Sequence, residues 1–516
     1  MAPQYLSPGV YVEEVDKGAR PIEGVGTAVA AFLGFAEDGP VNQATLIANW
    51  TQFLNVFGGF ISGSYLAHSV YGYFNNGGGS CYVTRLPDVE GVGEPKAPQA
   101  QASLPARGKA SLESLSVTAL EPGEVTVEVA APGEEAAEDE FNLVVRRGGT
   151  EEVFESVTLR KGRGVRNVVE VVNKESKLVR VAERESSLSL PERVPAAGTY
   201  ALTVSESKAV AAKQVGTDLI MGDAAERTGL AGFEAADDVT MVCVPELMGL
   251  YQRGALSLEG VKAVQQAMLD HCANMKDRFA ILDSPPGMSP QQIRDWRLNE
   301  AGYDSKYGAV YYPWIKVANP LGNGEAVLVP PSGHMAGIYA RSDTERGVHK
   351  APANEIVRGA LGLEAQITKS EQDSLNPEGI NCIRTFPGRG IRVWGARTLS
   401  SDAQWRYINV RRLFNFVEES IEAGTQWIVF EPNDMDLWAR IRRDASAFLT
   451  RVWRDGALFG ATPSDAFYVK CDEELNTVEV RDAGQVIIEI GMAPVKPAEF
   501  VIFRISQWAG GAAVAE

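Results

Sequence analysis

An alternation of strands and a long helix between residues 239 and 312 constrains the fold of this chain most strongly. Residues 239–244 and 278–282 are mostly apolar, as expected of strands that are buried on both faces of a sheet. The segment 256–275 between them reads as a helix, and residues 309–312 form a further apolar run. Strands and helices that alternate in this way predict a doubly wound α/β sheet.

The composition and the apolar patterning of the sequence change several times along the chain, which predicts a multidomain α/β and α+β protein. Residues 88–108 are rich in Ala, Pro, Gly and Gln and read as a linker. Apolar and polar residues then alternate up to about residue 215, which predicts an inserted antiparallel β domain. The predicted parts are an N-terminal arm (1–20), the first part of the core (21–87), the inserted outer β domain (88–220), an α/β domain (221–375), an α+β C-terminal domain (376–495) and a C-terminal arm (496–516).

Shorter patterns predict individual elements on either side of the inserted domain. Apolar spacing predicts a buried strand at 27–35, helices at 50–57 and 66–74, and strands at 81–85 and 426–430. These elements give both the first part of the core and the C-terminal domain a mixed α and β character.

Both ends of the chain carry apolar segments that read as strands. A short strand follows the turn at residues 7–9, and the segment 499–506 is apolar on both of its faces. Chain ends fray unless they are tied down, and an unpaired apolar edge favours aggregation. We therefore predict that both segments add to the sheet of a neighbouring subunit; the alternative is that the C-terminal strand completes its own sheet. The predicted inter-subunit residues are Val10, Tyr11, Val12, Phe500, Val501, Ile502, Phe503 and Ile505.

The charge of the chain excludes several classes of partner. Its formal net charge is −18, which would repel nucleic acid and anionic membranes. The charge serves solubility or a complementary basic partner. The N-terminus lacks the features of a signal peptide, and the apolar run at 28–35 is too short to span a bilayer. We therefore predict cytoplasmic folding and assembly, with no direct membrane insertion and with release by lysis if the protein leaves the cell.

The cysteines and histidines do not form metal or disulfide patterns. The five cysteines are odd in number and contain no CxxC pair, which argues against a disulfide framework or a zinc site and favours buried free thiols. The four histidines contain no HExxH pattern, and the glycine-rich segments at 77–80 and 388–390 lack the context of a phosphate-binding loop. We predict no metal and no cofactor.

Two segments are similar to the catalytic strands of subtilisin-type proteases. Asp283 ends an apolar strand, and His334 follows in the segment SGHMAG, in the same order as in those enzymes. A catalytic triad also needs a nucleophile beside the base, and the nearest serine segment, 462–465, has the wrong context. We predict a subtilisin-like α/β domain without a triad. A serine hydrolase that uses Asp283 and His334, and a soluble glycan-binding adhesin built on the β insertion, are the alternative functions.

Several long segments resemble contractile tail sheath proteins, and they occur in the same order. They are SPGVYVEE at 7–14, TAVAAFLG at 27–34, PPSGHMAG at 330–337, GIRVWGAR at 390–397, VFEPN at 429–433 and APVKPAEF at 493–500. The resemblance covers the chain outside the β insertion. The family's middle domain is described as subtilisin-like, in agreement with the two segments above.

The resemblance implies a structural protein rather than an enzyme. Six subunits would form a ring, and rings would stack helically around an inner tube, with baseplate and tail-terminating cap proteins at the ends. Terminal arms from neighbours would add strands to each C-terminal domain. The sleeve would assemble in an extended, metastable state and shorten by rigid-body motion of its subunits, which would drive the tube into a target envelope. The particle would be a phage virion or an injection system.

Overall fold

The computed structural model describes residues 21–88, 101–109, 112–119, 125–131, 139–148, 150–160, 162, 165–183, 188–202, 215–321 and 325–504. The chain forms two compact units. The first contains residues 1–89 and 214–516, and the second contains residues 90–213. The predicted strand at Val10, Tyr11 and Val12, and residue Ile505, lie outside the described residues.

The elements of the described residues are as follows. The strands are β1 (Ala30–Gly34), β2 (Thr45–Ile47), β3 (Cys81–Arg85), β4 (Gln101–Pro105), β5 (Glu113–Ala119), β6 (Val125–Ala130), β7 (Glu140–Arg147), β8 (Thr150–Thr158), β9 (Val179–Glu183), β10 (Gly198–Ala201), β11 (Met241–Cys243), β12 (Phe279–Asp283), β13 (Gly308–Tyr312), β14 (Ile315–Ala318), β15 (Ala326–Val329), β16 (Ala360–Leu363), β17 (Ile380–Phe386), β18 (Gly390–Val393), β19 (Phe467–Lys470) and β20 (Glu489–Met492). The α-helices are α1 (Trp50–Phe57), α2 (Leu66–Asn75), α3 (Val168–Glu175), α4 (Leu190–Arg193), α5 (Asp218–Met221), α6 (Glu246–Gln252), α7 (Leu258–Met275), α8 (Pro290–Asp295), α9 (Ser332–Arg346), α10 (Lys369–Leu375), α11 (Ile408–Thr425), α12 (Met435–Arg454), α13 (Pro463–Ala466) and α14 (Val478–Asp482). None of these helices is both long and apolar enough to cross a bilayer.

An eight-stranded sheet organises the first unit. Its order is β18-β17-β13-β12-β11-β1-β3-β2. The strands from β17 to β3 are parallel, and β18 and β2 add antiparallel edges. Strand β1 pairs with β11, with Ala30 opposite Met241, so the strands before and after the insertion lie side by side. The central strands are apolar on both faces because helices cover both sides.

Helices α2 and α9 pack very closely on this sheet. A Cβ atom at Gly333 would lie 2.4 Å from the backbone oxygen of Ser69, and one at Gly337 would lie 2.4 Å from that of Tyr73. Only glycine permits this separation, because any side chain would push the two backbones apart. The helices, the sheet and the flanking strands therefore share one continuous core.

The C-terminal part of the first unit is built on α11 and α12. Leu413, Val417, Phe448 and Leu449 form its core, and the residue Ile22 from the start of the described chain packs into the same core. Strands β19 and β20 form a separate two-stranded antiparallel sheet beside these helices.

The second unit contains two antiparallel sheets, with orders β10-β6-β7-β8 and β4-β5-β9. Alternating residues of β6, including Val125, Val127 and Val129, are buried, and they share a core with helix α3. Both sheets lie within residues 88–220, the range predicted for an inserted antiparallel β domain, and that domain assignment stays a prediction.

The structure confirms the mixed α/β character and most of the predicted elements, and it corrects two others. Residues 101–105, predicted as linker, form β4. Residues 426–430 do not form a strand, because Gln426–Ile428 is a 3-10 turn. Residues 499–504 are not a strand in the single chain, and the predicted pairing of this segment with a neighbouring subunit stays a prediction.

The predicted boundary at residue 375, between the α/β domain and the α+β C-terminal domain, falls inside the main sheet. Strands β17 and β18 follow that point and complete the eight-stranded sheet. Strand β17 (Ile380–Phe386) pairs in parallel with β13 and is one of the six parallel strands of this sheet, so the sheet continues beyond the expected boundary.

Candidate functional site

Residues 493–504 form the last described segment of the chain. The carboxylate of Glu499 attaches this segment to the first unit. Glu499 accepts hydrogen bonds from Arg397 at 2.8 and 2.9 Å, from Asn376 Nδ2 at 2.7 Å and from the Tyr407 hydroxyl at 2.9 Å. The two charged side chains are mostly buried, with 11% of Arg397 and 19% of Glu499 exposed. We call these four residues the Glu499 clamp.

The electrostatics of the clamp favour the ionised carboxylate. Burial acts to raise the pKa of Glu499, but the hydrogen bonds from Arg397, Asn376 and Tyr407 outweigh it, and the pKa lies below its ordinary value. Two charge-assisted hydrogen bonds to one guanidinium also fix the orientation of the carboxylate. The clamp therefore holds the chain at residue 499 in one position.

The four residues that directly follow the clamp in the sequence are much more exposed than large apolar residues usually are. Phe500, Val501, Ile502 and Phe503 have 71%, 69%, 79% and 83% of their surfaces exposed. Single exposed apolar residues are normal, but a run of four large ones marks an interaction surface. The structure thus places four of the eight predicted inter-subunit residues together on one exposed segment.

A groove lies beside the clamp. It has a volume of about 810 Å³ and is bordered by α9, α10, Arg384 on β17, residues 394–397 and the segment 495–501. Its floor is apolar, with Ala351, Ala353 and Trp394 among the lining residues, and several cations line its rim. We call this cavity the basic groove.

Hydrogen bonds to helices α9 and α11 hold the start of the described chain, at Val25 and Thr27. The backbone N–H of Val25 donates to Ser420 Oγ at 3.1 Å on α11. Thr27 donates through its hydroxyl to Asp343 at 2.7 Å, and it accepts from Arg412 through its carbonyl at 2.8 Å. Arg412 and Asp343 form a buried ion pair with both carboxylate oxygens engaged.

The two-stranded sheet of β19 and β20 has a free edge on each side within the described part of the chain. Strand β20 ends at Met492, just before the segment that leads to the clamp. An open edge presents unpaired backbone groups to which a further strand can add.

The residues that look like a protease triad do not form one. The Asp283 carboxylate accepts hydrogen bonds from the Ser332 backbone N–H at 2.8 Å and from its hydroxyl at 2.6 Å. Burial raises the pKa of Asp283 to about 7. Burial, with a smaller effect of His68, lowers the pKa of His334 to about 3, and His334 Nδ1 has no hydrogen-bond partner among the described residues. Asp283 therefore orients a serine at the start of α9 rather than a catalytic imidazole.

The cysteines are buried and free. Burial raises the pKa of Cys382 to about 12 and also raises the pKa of Cys243, so these thiols stay protonated. Within the described residues no group of three or more His, Cys, Asp or Glu side chains is placed to hold a metal ion.

Comparison with protein families agrees with this geometry. Residues 232–399 match the model of the phage tail sheath protein central domain, and residues 400–507 match the phage tail sheath C-terminal domain. The two models together span residues 232–507, which is more than half of the 516 residues. The chain belongs to the phage tail sheath family. The boundary between the two models, at residue 399, falls after β18 and before α11, where the main sheet of the sheath chain ends.

Individual sheath proteins are similar to this one. A prophage major tail sheath protein of Pseudomonas aeruginosa is 29% identical over 48% of this chain, and the match spans 63% of that protein, less than two thirds of its length. The tail sheath protein of Burkholderia phage BcepMu is 24% identical over 98% of this chain and 97% of its own. The sheath complex of an extracellular contractile injection system in its contracted state has a TM-score of 0.58 at 25% identity, covering 98% of this chain and 99% of its own.

The sequence indicated the exposed segment but not what holds it. Residues 500–503 stood out as a run of apolar residues, whereas the partners of Glu499 lie 92 to 123 positions away in the chain. One signal was available, since a single acidic residue directly precedes the apolar run, but its partners are defined only by the fold.

Proposed function

We propose that this protein is the structural subunit of a contractile sheath, which polymerises helically around an inner tube and shortens to drive that tube into a target envelope. The full-length similarity to a phage tail sheath protein and to a sheath in its contracted state carries the proposal. Each comparison covers 98% of the chain.

The terminal segments link neighbouring subunits in this proposal. Residues 10–12 of one copy and residues 500–505 of another add as strands to the open edges of β19 and β20 in a third copy. The exposure of residues 500–503 supports this, because the segment is held at Glu499 and has no partner beyond it in the described part of the chain. A strand conformation requires a partner strand, which explains why residues 499–504 are not a strand in the single chain.

The finer features of the assembly follow from the family resemblance. Six subunits form each ring, and baseplate and cap proteins close the ends of the sleeve. The particle assembles in the cytoplasm and is released by lysis. The α/β domain takes a subtilisin-like arrangement without a triad, a view supported by the position of Asp283 at the carboxyl end of a parallel strand. The energy for shortening is stored during assembly.

Electron microscopy of the purified, full-length protein tests the proposal. We expect hollow sleeves of stacked rings, in a longer and a shorter form. Monodisperse monomers over a wide range of concentrations, in the presence of the cognate tube, would contradict the proposal. A fluorophosphonate probe checks the hydrolase alternative, and we expect no labelled serine.

A further inference from the structure

A rigid apolar knob projects from the loop after α11. Phe430 is fully exposed, and its neighbours Val429 and Met435 are 60% and 61% exposed. These three residues are called the Phe430 knob. The nearby residues Glu431, Asp434 and Asp436 are exposed acids, and Glu431 lies 3.7 Å from Arg440, so the knob has an apolar tip and a mainly acidic rim.

The loop holds Phe430 in a strained conformation. Its φ angle is +68°, a left-handed value that bulky side chains rarely adopt. Neighbouring contacts impose this geometry: Asn433 donates to the carbonyl of Gln485 at 2.8 Å and accepts from Trp438 Nε1 at 2.8 Å. Strain of this kind persists only where the surroundings fix it, and it is concentrated at functional sites. The loop therefore fixes the position of the Phe430 ring before any partner binds, so binding does not have to order it.

The basic groove has the complementary character. Six cations line it, against the two acids Asp373 and Glu499; the cations are Arg346, Lys350, Lys369, Arg384, Arg397 and Lys496. Three of them, Arg346, Lys369 and Lys496, are exposed and form no ion pair with any residue that the structure describes. Unpaired cations around an apolar floor are notable in a chain with a net charge of −18. The groove suits a partner with an apolar tip and an acidic rim.

The knob and the groove lie at opposite ends of one helix. Tyr407, the residue before α11, lines the groove, and Phe430 follows the end of α11 by five residues. The 18 residues of α11 span about 27 Å at 1.5 Å per residue. A chain that carries a surface and its complement at different places forms heterologous contacts, and such contacts generate rings or helical filaments.

We propose that the Phe430 knob of one copy binds in the basic groove of a second copy. The contact rests on the proposed self-assembly of the chain, and it adds a head-to-tail interface to the one made by the terminal segments. Phe430 contacts the apolar floor of the groove, and the acids around the knob lie against Arg346, Lys369 and Lys496. Each copy uses one knob and one groove, so the contact repeats along the assembly.

Disulfide trapping tests the geometry directly. We would assemble an equimolar mixture of full-length Phe430→Cys and Ala353→Cys chains under oxidising conditions and analyse it on non-reducing gels. A disulfide needs Cα atoms within about 7 Å, and the five native cysteines are buried. We expect a linked pair at twice the 55.7 kDa of the chain, and a ladder of longer products when one chain carries both substitutions.

Three results would overturn the proposal. The first is no cross-link in the mixture, whether the sample contains sleeves or soluble protein at high concentration. The second is cross-linking of Phe430→Cys chains to one another, because that would indicate knob-to-knob contact. The third is efficient cross-linking of Ala353→Cys to Val12→Cys, because that would place the acidic N-terminal segment in the groove. Failure of the wild-type protein to form sleeves would refute the proposed function, while the cross-link still decides this contact.

A substitution that relieves strain separates assembly from folding. Phe430→Gly removes the ring and tolerates a positive φ, so the monomer should unfold at the same temperature or higher. We expect the concentration needed for sleeve formation to rise at least tenfold. Leu361→Ala, which removes an apolar side chain that is 67% exposed on β16, is the matched control and should assemble as the wild type does. Assembly of Phe430→Gly at the wild-type concentration would contradict the proposal.

Discussion

Replacing Glu499 by Gln should release the C-terminal segment without unfolding the protein. Hydrogen bonds to a charged group contribute about 1.5–3 kcal/mol each, against about 0.5–1.5 kcal/mol for neutral ones. The carboxylate accepts four such bonds, two of them from Arg397. Since the site is partly open to water, with 19% of Glu499 exposed, we expect a net loss of about 2 kcal/mol in the free energy of opening the segment.

Hydrogen exchange measures this loss. A change of about 1.4 kcal/mol is a factor of ten, so the amide protons of residues 495, 496, 498 and 499 should exchange roughly 30-fold faster in Glu499→Gln, while α7 and the main sheet remain as protected as in the wild type. Glu473→Gln, an exposed position on the same part of the chain, serves as the control. Unchanged exchange at residues 495–499 would show that the carboxylate does not hold the segment.

The same clamp gives a defined pH dependence. The pKa of folded Glu499 lies below its ordinary value of 4.5, so its contribution to stability is fully present above pH 4.5 and is lost as the pH falls through the lower folded value. The protection factors of the amide protons at residues 495, 496, 498 and 499, which are corrected for the intrinsic pH dependence of exchange, should therefore fall only in acid, below about pH 4.5, in the wild type. Glu499→Gln should lack this dependence.

Four further results are expected. Deleting residues 1–14, or changing Ile502→Pro, should abolish long sleeves in micrographs but leave the monomer cooperatively folded in thermal denaturation. The Pro variant should fold because Ile502 is exposed and lies outside any strand of its own chain. Unfolding of the Pro variant would instead place the segment in its own subunit. Replacing residues 90–213 by a Gly-Ser linker should preserve sleeves, and their loss from a folded protein would show that the insertion connects neighbours. Asp343→Asn should lower the free energy of unfolding in urea by about 3–5 kcal/mol, since it leaves Arg412 buried without its partner; a change below 1 kcal/mol would show that the pair is dispensable. Co-sedimentation of sheath with its tube should weaken as salt rises, because exposed ion pairs of about 0.2–1 kcal/mol each are screened, and salt-independent binding would indicate apolar docking.

Local patterns in the sequence were sufficient for much of the fold. Helix α1 and strand β3 have the predicted bounds, because apolar spacing, the Asn49 cap and the flanking glycines all favour the same structure. The buried strands of the main sheet were recognisable because both of their faces are apolar. Within the insertion, the alternating pattern did not single out strands β5 and β9, since ESLSVTA and VRVAE carry few large apolar residues.

The remaining differences depend on tertiary contacts. The apolar run at 426–430 resembles a strand, but Phe430 is held at a positive φ by Asn433 and its partners, which only the folded loop supplies. The Glu499 clamp brings together residues from three separate parts of the chain, and no local pattern encodes that arrangement. The predicted strand at 499–506 stays a prediction, because its proposed partner strand belongs to a second chain.

The placement of both terminal anchors on α11 has a mechanical consequence. Ser420 holds the backbone at Val25, and Asn409, on the same helix, donates to the carbonyl of Val495 at 3.2 Å. These two attachment points are 11 residues apart, a rise of about 17 Å along the helix axis. In a polymer joined through its terminal segments, tension that enters at one end of the chain leaves at the other through about three turns of a single helix. The Glu499 clamp adds a branch to this path, because Asn376 and Arg397 flank the edge strands β17 and β18 of the eight-stranded sheet, so tension on the C-terminal segment is divided between α11 and one edge of that sheet.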